Sequence, residues 1–331
     1  MLVVLLIFSF ITVLCTGSTN ISLRDIIEIL FTGQSVTEEW TVIIREIRLP
    51  KAITAVLAGM ALSVSGLQMQ TVFRNPLAGP YVLGISAGAI LGVALLVMGT
   101  GATVAHLAGN IGYWMIIVAA FTGAAAILCV IFLVSLRIRD VMTILILGIL
   151  FGSITSSFIN ILQYFSEAGA LKSFTVWTMG SLNGVTLLHL KALAPAVAIG
   201  LAVAILTVKP LNAMLLGENY ARSIGVNIIS ARLLIFFSTG ILAGSITAFC
   251  GPIGFVGIAT PHLCRIIFRT SEQGVLLFGC LLVGSIVMLF SDLISQLPGN
   301  GAILPINSVT AFIGIPVVIW IIVRNNKFIF T

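Results

Sequence analysis

The residues that most often carry chemistry in proteins are sparse in this sequence and lie far apart. Five cysteines and three histidines occur, without a Cys-x-x-Cys pair and without His spaced as metal ligands. The cysteines lie in or beside apolar runs, which indicates small packing residues rather than a disulfide framework or a metal site. No Gly-x-x-x-x-Gly-Lys-Ser/Thr segment occurs, so a phosphate-binding loop that would bind and hydrolyse ATP is absent.

Ionisable residues are also scarce within the long apolar stretches. Glu167 and Asp292 fall at the predicted ends of such stretches, and no centre of a stretch carries a charge. A carrier coupled to protons or ions usually places an ionisable group inside a membrane span, and an intramembrane enzyme needs a nucleophile with its base. A stand-alone secondary transporter therefore remains only as the alternative from a different class. Any transport by this chain would draw its energy from a partner.

The composition restricts the class of protein more strongly than any motif. Of the 331 residues, 59% are hydrophobic and only 8% are charged, and the mean hydropathy is +1.22. A soluble domain carries about 25% charged residues, so a soluble enzyme, a nucleic-acid-binding protein and a disordered chain are excluded. The sequence predicts an all-α polytopic membrane bundle that forms one domain over residues 1–331.

Gaps between charged residues locate about ten segments that approach the roughly 20 residues needed to cross a bilayer. Met1–Gly17 lacks the basic start of a signal peptide and is predicted to be a retained first span. Between Arg232 and Arg265 lie 32 uncharged residues, which Gly251–Gly254 divides into a full span and a short, discontinuous one. The other predicted spans cover residues 52–73, 81–100, 111–136, 140–167, 191–209, 272–292 and 305–323, with breaks near Gly99–Gly109 and at Pro298–Gly301.

The distribution of charge predicts the orientation. An even number of spans puts both termini on one side, and cytoplasmic segments carry an excess of Lys and Arg. With both termini inside, the inner segments hold ten basic and three acidic residues, and the outer segments six and seven, consistent with the total of +6. The basic charge is therefore read as an orientation signal in the cytoplasmic (inner) membrane, with membrane lipid and not nucleic acid as the partner.

Two local patterns predict further structure. Gly84, Gly88 and Gly92 follow one another at every fourth position, which allows helix backbones to approach closely. Ser22–Asp25 resembles a capping box that opens a short amphipathic helix through Phe31.

The longest inner loop, about residues 209–231, contains the sequence LNAMLLGENYARSIGV at Leu211–Val226. Its spacing predicts one short amphipathic helix with a glycine at each end. An ordinary interfacial helix and a surface that binds a partner both explain this pattern.

This loop resembles the coupling-helix signature of the FecCD (BtuC-like) family, the permeases of binding-protein-dependent ABC importers for ferric siderophores, haem and cobalamin. Further blocks are similar to the family in the same order over nearly the whole chain. They are RLPK at Arg48–Lys51, GLQMQTVFRNPLAGPYVLGISAGA at Gly66–Ala89, WTMGSL at Trp177–Leu182, GPIGFVGIATPH at Gly251–His262 and TAFIGIPVVIW at Thr310–Trp320. The chain departs from the family at Ile303, where Glu is usual, and at Gln296, where Arg often follows the Asp of the ninth span.

The resemblance implies a type II ABC importer permease that works as a homodimer with the substrate path at the dimer axis. Two cytosolic ATPase subunits would bind ATP and Mg, and this chain would hold no cofactor. A periplasmic or lipid-anchored binding protein would deliver the substrate. An iron chelate, either a ferric siderophore or haem, is the first expectation, and cobalamin is the alternative.

The resemblance also assigns roles to residues, which we list by role. Coupling to the ATPase falls to Leu216, Gly217, Glu218, Ala221, Arg222 and Gly225, and docking of the binding protein to Arg48 and Lys51. The inner gate falls to Val141 and Met142, and Asn160 and Gln163 are candidates for the path. Basic residues at a membrane edge are equally explained by reaching for headgroups, and the polar residues of a span by interhelical hydrogen bonds.

Overall fold

The computed structural model describes residues 1–17, 19, 21–32, 37–99, 110–138, 140–298 and 303–324. Within these ranges the regular structure is helical. The helices are α1 (Leu2–Cys15), α2 (Leu23–Thr32), α3 (Glu38–Val42), α4 (Leu49–Val72), α5 (Ile85–Val97), α6 (Asn110–Arg137), α7 (Val141–Phe165), α8 (Ala168–Thr178), α9 (Leu187–Leu206), α10 (Val208–Leu215), α11 (Glu218–Ser223), α12 (Ile228–Cys250), α13 (Val256–Phe268), α14 (Gln273–Ser295) and α15 (Ile306–Arg324). A π-helical turn, Ile43–Arg48, joins α3 to α4, and a 3₁₀ turn, Pro80–Leu83, precedes α5.

The helices reproduce the predicted spans. Six helical segments of the described chain are long and apolar enough to cross a bilayer: the continuous run α3–α4, then α6, α7, α9, α12 and α14. Shorter apolar helices, α1, α5, α13 and α15, occupy the places of the other four predicted spans. The glycine-rich break from residue 100 to 109 and the break at 299–301 lie outside the described residues.

Helix α4 forms the centre of the bundle. It packs against α9, α12, α13 and α14, and most of its side chains are buried. Its small residues permit this crowding: a Cβ added to Gly59 would overlap the backbone of Gly284 in α14, and one added to Gly66 would overlap the carbonyl of Gly257 in α13. Gly88 of α5 contacts Gly123 of α6 in the same way. The close packing that the spaced glycines predict is thus present.

The predicted discontinuous element is also present. Helix α12 ends at Cys250, Gly251 takes a positive φ of 73°, and α13 begins only at Val256. The thirteen residues of α13 span about 20 Å, short of a hydrocarbon core of about 30 Å. A protein side chain binds the non-helical backbone of the break, since the amide of Gly254 donates to Asn307 Oδ1 at 2.9 Å. Irregular backbone at this depth requires such partners.

The loop 209–231 differs from its prediction. Two short helices, α10 and α11, replace the single amphipathic helix, because Gly217 has a φ of 115° that a helix interior does not allow. By contrast, α2 agrees with its prediction: the Ser22 hydroxyl accepts a hydrogen bond from the amide of Asp25 at 3.3 Å. We call the end of the bundle that carries α10 and α11 the α10–α11 end, and the other the opposite end.

Candidate functional site

A cleft of about 440 Å³ opens at the α10–α11 end of the bundle. Three segments line it: the end of α4 (Val72–Arg74), the start of α7 (Asp140–Met142) and the α10–α11 junction (Leu216–Tyr220). The structure therefore brings predicted coupling residues and the predicted gate residues Val141 and Met142 to the walls of one cleft. Met142 is half exposed there.

Glu218 is bound inside the chain. Its Oε1 accepts a hydrogen bond from Arg232 of α12, a side chain that is only 3% exposed. A second and longer contact, 3.9 Å, joins its Oε2 to Arg222 one turn along α11. The carboxylate therefore holds α11 against α12, and Arg232 partly neutralises its charge.

The outward surface of the junction combines apolar and aromatic side chains with exposed polar ones such as Asn219 and Ser223. Leu216, Tyr220 and Ile224 are exposed and follow one another at every fourth position, whereas Ala221 is fully buried. Arg222 is half exposed, and Gly225 ends the segment with a φ of 89°. The sequence reasoning missed Tyr220 and Ile224, although their spacing from Leu216 was the available signal.

Asn212 attaches α10 to the start of α14. Its Nδ2 donates to Glu272 Oε1 at 2.9 Å, and its Oδ1 accepts from the amide of Gln273 at 2.8 Å. The hydrogen bond from Asn212, followed by those from the amides of Val275 and Gly274, lowers the pKa of Glu272 below its ordinary value. Glu272 thus stays ionised as the N-cap of α14.

Asp140 plays the same part at α7. Its carboxylate accepts hydrogen bonds from the hydroxyl and the amide of Thr143, at 2.6 and 2.9 Å, and these lower its pKa. This N-cap fixes the first turn of α7, which contains Val141 and Met142. The local sequence therefore fixes the helix start that forms one wall of the cleft.

One face of α7 is polar and exposed. Ser153, Ser156 and Asn160 are exposed on it and Gln163 is half-buried. The opposite face, with Gly148, Thr155 and Ile159, is buried. The hydroxyls of these serines donate hydrogen bonds to carbonyls of the same helix. This places both predicted path residues, Asn160 and Gln163, on a helix that extends from the cleft.

The structure places Arg48 inside the bundle at the opposite end. Its guanidinium donates to the carbonyls of Leu14, Cys15 and Thr19, at 2.8, 3.1 and 2.5 Å. The carbonyls of Leu14 and Cys15 belong to the last turn of α1, whose carbonyls have no partner within the helix. Arg48 therefore holds α1 against the π-helical turn, and its role in docking stays a prediction.

Lys51 is buried as well. Its Nζ lies 3.1 Å from Asp292 Oδ2 of α14, and the two side chains are 8% and 4% exposed. Gln296 donates to the same carboxylate oxygen at 2.9 Å. The departure from the family at Gln296 thus supplies a neutral donor to an internal ion pair.

A smaller cleft of about 240 Å³ lies beside this ion pair at the opposite end. Asp292 and Ser295 of α14, the segment Met179–Asn183 and the segment Ile303–Ile306 line it. It therefore joins the WTMGSL block to Ile303, the other position at which the chain departs from the family.

With this geometry established, comparison with known proteins identifies the chain. The profile of the FecCD transport family matches residues 5–324. The chain belongs to the FecCD transport family. It is an ABC importer permease, a multi-pass membrane subunit whose family lacks an ATPase of its own.

Relatives resemble it over most of their length. The vitamin B12 import system permease protein BtuC of Shigella boydii serotype 18 is 32% identical over 325 residues, covering 98% of this chain and 94% of the relative. That of Salmonella paratyphi A is 34% identical over 283 residues, 85% and 84% of the two chains. An ABC transporter permease protein of Methanocaldococcus jannaschii is 32% identical over 337 residues, 97% and 95%.

Solved structures share the fold. A metal-chelate type ABC transporter in an inward-facing conformation aligns with a TM-score of 0.85 and 25% identity, covering 98% of this chain and 97% of that chain. PsaBC from Streptococcus pneumoniae, in complex with Fab, aligns with a TM-score of 0.55 at 13% identity, covering 91% and 95%, and supports the fold alone. The fold is that of a type II ABC importer permease.

The geometry at Glu218 predicts that its ion pair with Arg232 has a larger coupling energy than its ion pair with Arg222. A double-mutant cycle with Glu218→Gln and Arg232→Gln should give a coupling energy of about 2 kcal/mol, because one partner is buried. The cycle with Arg222→Gln should give less than about 0.5 kcal/mol, since that pair is long and half exposed. Unfolding of the purified protein in detergent measures both, and equal energies would contradict this assignment.

The buried pair Lys51–Asp292 predicts rescue by a second substitution. Lys51→Met alone should cost about 3–5 kcal/mol of unfolding free energy, because it leaves a buried carboxylate without its cation, and adding Asp292→Leu should restore most of it. Lys191→Met, at an exposed lysine, is the matched control. If the double variant is stable but the binding protein no longer stimulates ATP hydrolysis, Lys51 or Asp292 acts in docking.

Proposed function

We propose that this chain forms a homodimer that imports an iron chelate through the cytoplasmic membrane, driven by ATP that two partner subunits hydrolyse. The first expectation for the substrate is a ferric siderophore or haem. The proposal depends mainly on the exposed polar face of α7.

That face has the length and chemistry of a path. From Met142 at the cleft to Gln163 it runs 21 residues, roughly 32 Å along a helix, which is about the thickness of the hydrocarbon core. Apolar residues occupy its first part and Ser153, Ser156 and Asn160 the rest. An amide in contact with lipid tails would cost several kcal/mol. A second copy of α7 and enclosed water would remove that cost.

The energy for transport would come from outside this chain. No Asp, Glu, Lys or Arg lies between Asp140 and Glu167, so the α7 face offers no ionisable group for proton coupling. The exposed Leu216, Tyr220 and Ile224 present an apolar surface to a protein partner. We assign this surface to the ATPase subunits, which would hold ATP and Mg. A secondary transporter is disfavoured on the same grounds.

The remaining parts follow from the charge distribution. An excess of basic residues on the α10–α11 side supports a cytoplasmic location for that end and for both termini. A periplasmic or lipid-anchored binding protein would then approach the opposite end, where the 240 Å³ cleft opens.

Two substrates compete within one chemical class. The relatives from Shigella and Salmonella are vitamin B12 import permeases, which supports cobalamin. The structural neighbour is of metal-chelate type, which fits either substrate. Cobalamin and ferric chelates are both large metal complexes, so a path wide enough for one admits the other.

Uptake in cells separates the two. Deleting the gene should abolish uptake of radioactive iron supplied as ferrichrome or haem and leave uptake of labelled cobalamin unchanged. Restoring the gene with Glu218→Ala and Arg232→Ala together should fail to complement, because α11 loses its anchor. Lost cobalamin uptake with intact iron uptake would replace the iron proposal by the cobalamin one.

The homodimer predicts cross-linking at α7. In a chain whose native cysteines are replaced, Asn160→Cys should give a species of twice the mass with a short thiol cross-linker in membranes. Val118→Cys is the control, because Val118 is similarly exposed on α6 and would face lipid. Equal cross-linking at both positions would argue for random collision instead.

A further inference from the structure

The end of α4 and the residue that follows its C-cap direct four polar side chains to other elements of the bundle. We call Gln68, Gln70, Thr71 and Arg74 the α4 polar cluster. The first three are buried, with exposures of 1%, 4% and 5%.

Gln68 reaches the joint between α9 and α10. Its Nε2 donates to Thr207 Oγ1 at 3.1 Å, and Thr207 is the residue that separates the two helices. Its Oε1 accepts from Thr239 Oγ1 of α12, also at 3.1 Å. Both threonines are fully buried. The amide therefore fixes the point from which α10 leaves the bundle.

Gln70 reaches the discontinuous helix. Its Nε2 donates to the carbonyl of Ile258 in the first turn of α13 at 3.0 Å, and its Oε1 accepts from Arg265 Nη1 at 2.6 Å. The two contacts lie about two turns apart along α13. One side chain therefore fixes both the position and the rotation of this helix relative to α4.

The other two members of the cluster, Thr71 and Arg74, contact α14 and α10. The Thr71 hydroxyl lies 3.2 Å from Gln273 Oε1 of α14 and 2.9 Å from the carbonyl of Leu67 in its own helix, and its single hydrogen is shared between the two acceptors. Arg74 donates to the carbonyl of Met214 in α10 at 3.3 Å, from a backbone with a φ of 47° that non-glycine residues rarely adopt. The start and the end of α10 are therefore both bound to α4.

Other buried polar residues of α4 behave differently. Thr54 and Ser65 are fully buried, and their hydroxyls bond to carbonyls of Pro50 and Leu62 in the same helix. The hydrogen bonds of these hydroxyls stay within α4 and do not connect it to another helix. The long-range contacts are thus a property of the α4 polar cluster and not of buried polar residues in general.

We infer that Gln68 and Gln70 are positioning residues that transmit displacement of α10 to α13 through the end of α4. The inference rests on the proposed function, in which the ATPase moves α10 and α11. Hydrogen bonds in a water-free interior are costly to break, so a shift of α10 carries the end of α4 with it. Gln70 then imposes the shift on α13, whose break at Gly251–Phe255 frees its first turn from α12.

A second route runs through α14. Asn212 binds α10 to Glu272 and Gln273, and α13 packs on α14. This route joins the ends of helices through a side chain at the surface, whereas Gln68 and Gln70 lie in the core. Asn212→Leu therefore serves as the comparison variant.

The experiment uses the permease assembled with its ATPase and binding protein in lipid vesicles. Iron as ferrichrome and labelled cobalamin are the transport probes. Spin labels at Asn219 of α11 and at exposed Ile267 of α13, with the native cysteines replaced, report their separation with and without ATP and vanadate. Gln68→Met and Gln70→Met should keep ATP hydrolysis but lower transport per ATP about tenfold and suppress the change in separation.

The controls isolate transmission from folding. Thr54→Val and Ser65→Ala should keep the wild-type transport per ATP. If Gln68→Met does not fold, Thr207→Val removes the hydrogen bond from Gln68, together with the local bond to the carbonyl of Ala204, and nearly keeps the side-chain shape, whereas Thr207→Ser retains both bonds. Only the valine variant should lose transport per ATP.

Two kinds of failure remain distinguishable. A wild-type complex that hydrolyses ATP but imports neither probe would contradict the proposed substrate class, and the spin-label separation would still test the inference. Unchanged transport and separation in the Gln68 and Gln70 variants would overturn the inference, as would a full loss of transmission in Asn212→Leu alone.

Discussion

The contact between Gly66 of α4 and Gly257 of α13 determines where the broken helix can lie. No Cβ fits at either position, because the backbone of one helix rests on the other. Without hydrophobic attraction between helices in lipid, such close backbone contact is a main source of association. A thirteen-residue helix is too short for a hydrocarbon core of about 30 Å, and it needs this support because its ends would otherwise leave polar backbone groups without partners.

That contact makes α4 the reference for the rest of the bundle. α13 is fixed by Gly66 and Gln70, α14 by Gly59 and Thr71, and the joint of α9 with α10 by Gln68. Glycines bring the backbones together, and polar side chains then specify their register. Packing alone would tolerate small slips along a helix, but a buried amide that loses its partners pays a desolvation cost.

Much of this fold could be predicted from the sequence, for a simple reason. Charged residues bracket the spans, so most gaps between them correspond to one crossing, and Gly251–Gly254 marks the break within the 32-residue gap between Arg232 and Arg265. The split of the loop into α10 and α11 was not predicted, because the apolar spacing continues from Leu216 to Tyr220 across the positive φ of Gly217. Periodicity describes which face is apolar, and it is silent about the backbone that connects two short helices.

The candidate site was predictable only in part. The cleft is lined by Val141, Met142 and Glu218, to which the motifs assign gate and coupling roles, but the motifs do not say which partner a charge has. Arg48 binds carbonyls more than thirty residues away, and Lys51 pairs with Asp292 on a helix far along the chain. A basic residue at a span end predicts an exposed charge only when no buried acceptor lies nearby. Whether such an acceptor is near depends on the packing of distant helices, which the local sequence does not show.

The same distinction changes how a partner would recognise the α10–α11 end. The carboxylate of Glu218 is paired with Arg232, so it orients α11 and is not a free charge for a partner. Leu216, Tyr220 and Ile224 are large apolar side chains exposed on this segment, beside the exposed polar residues Asn219, Arg222 and Ser223. An apolar and aromatic surface gives contact over area, and it tolerates small rotations better than a single charge pair does. The end of α4 binds the inner side of α10, and Arg232 of α12 binds α11. A helix pair held in this way, with apolar side chains exposed on its outer side, is therefore suited to moving as one unit.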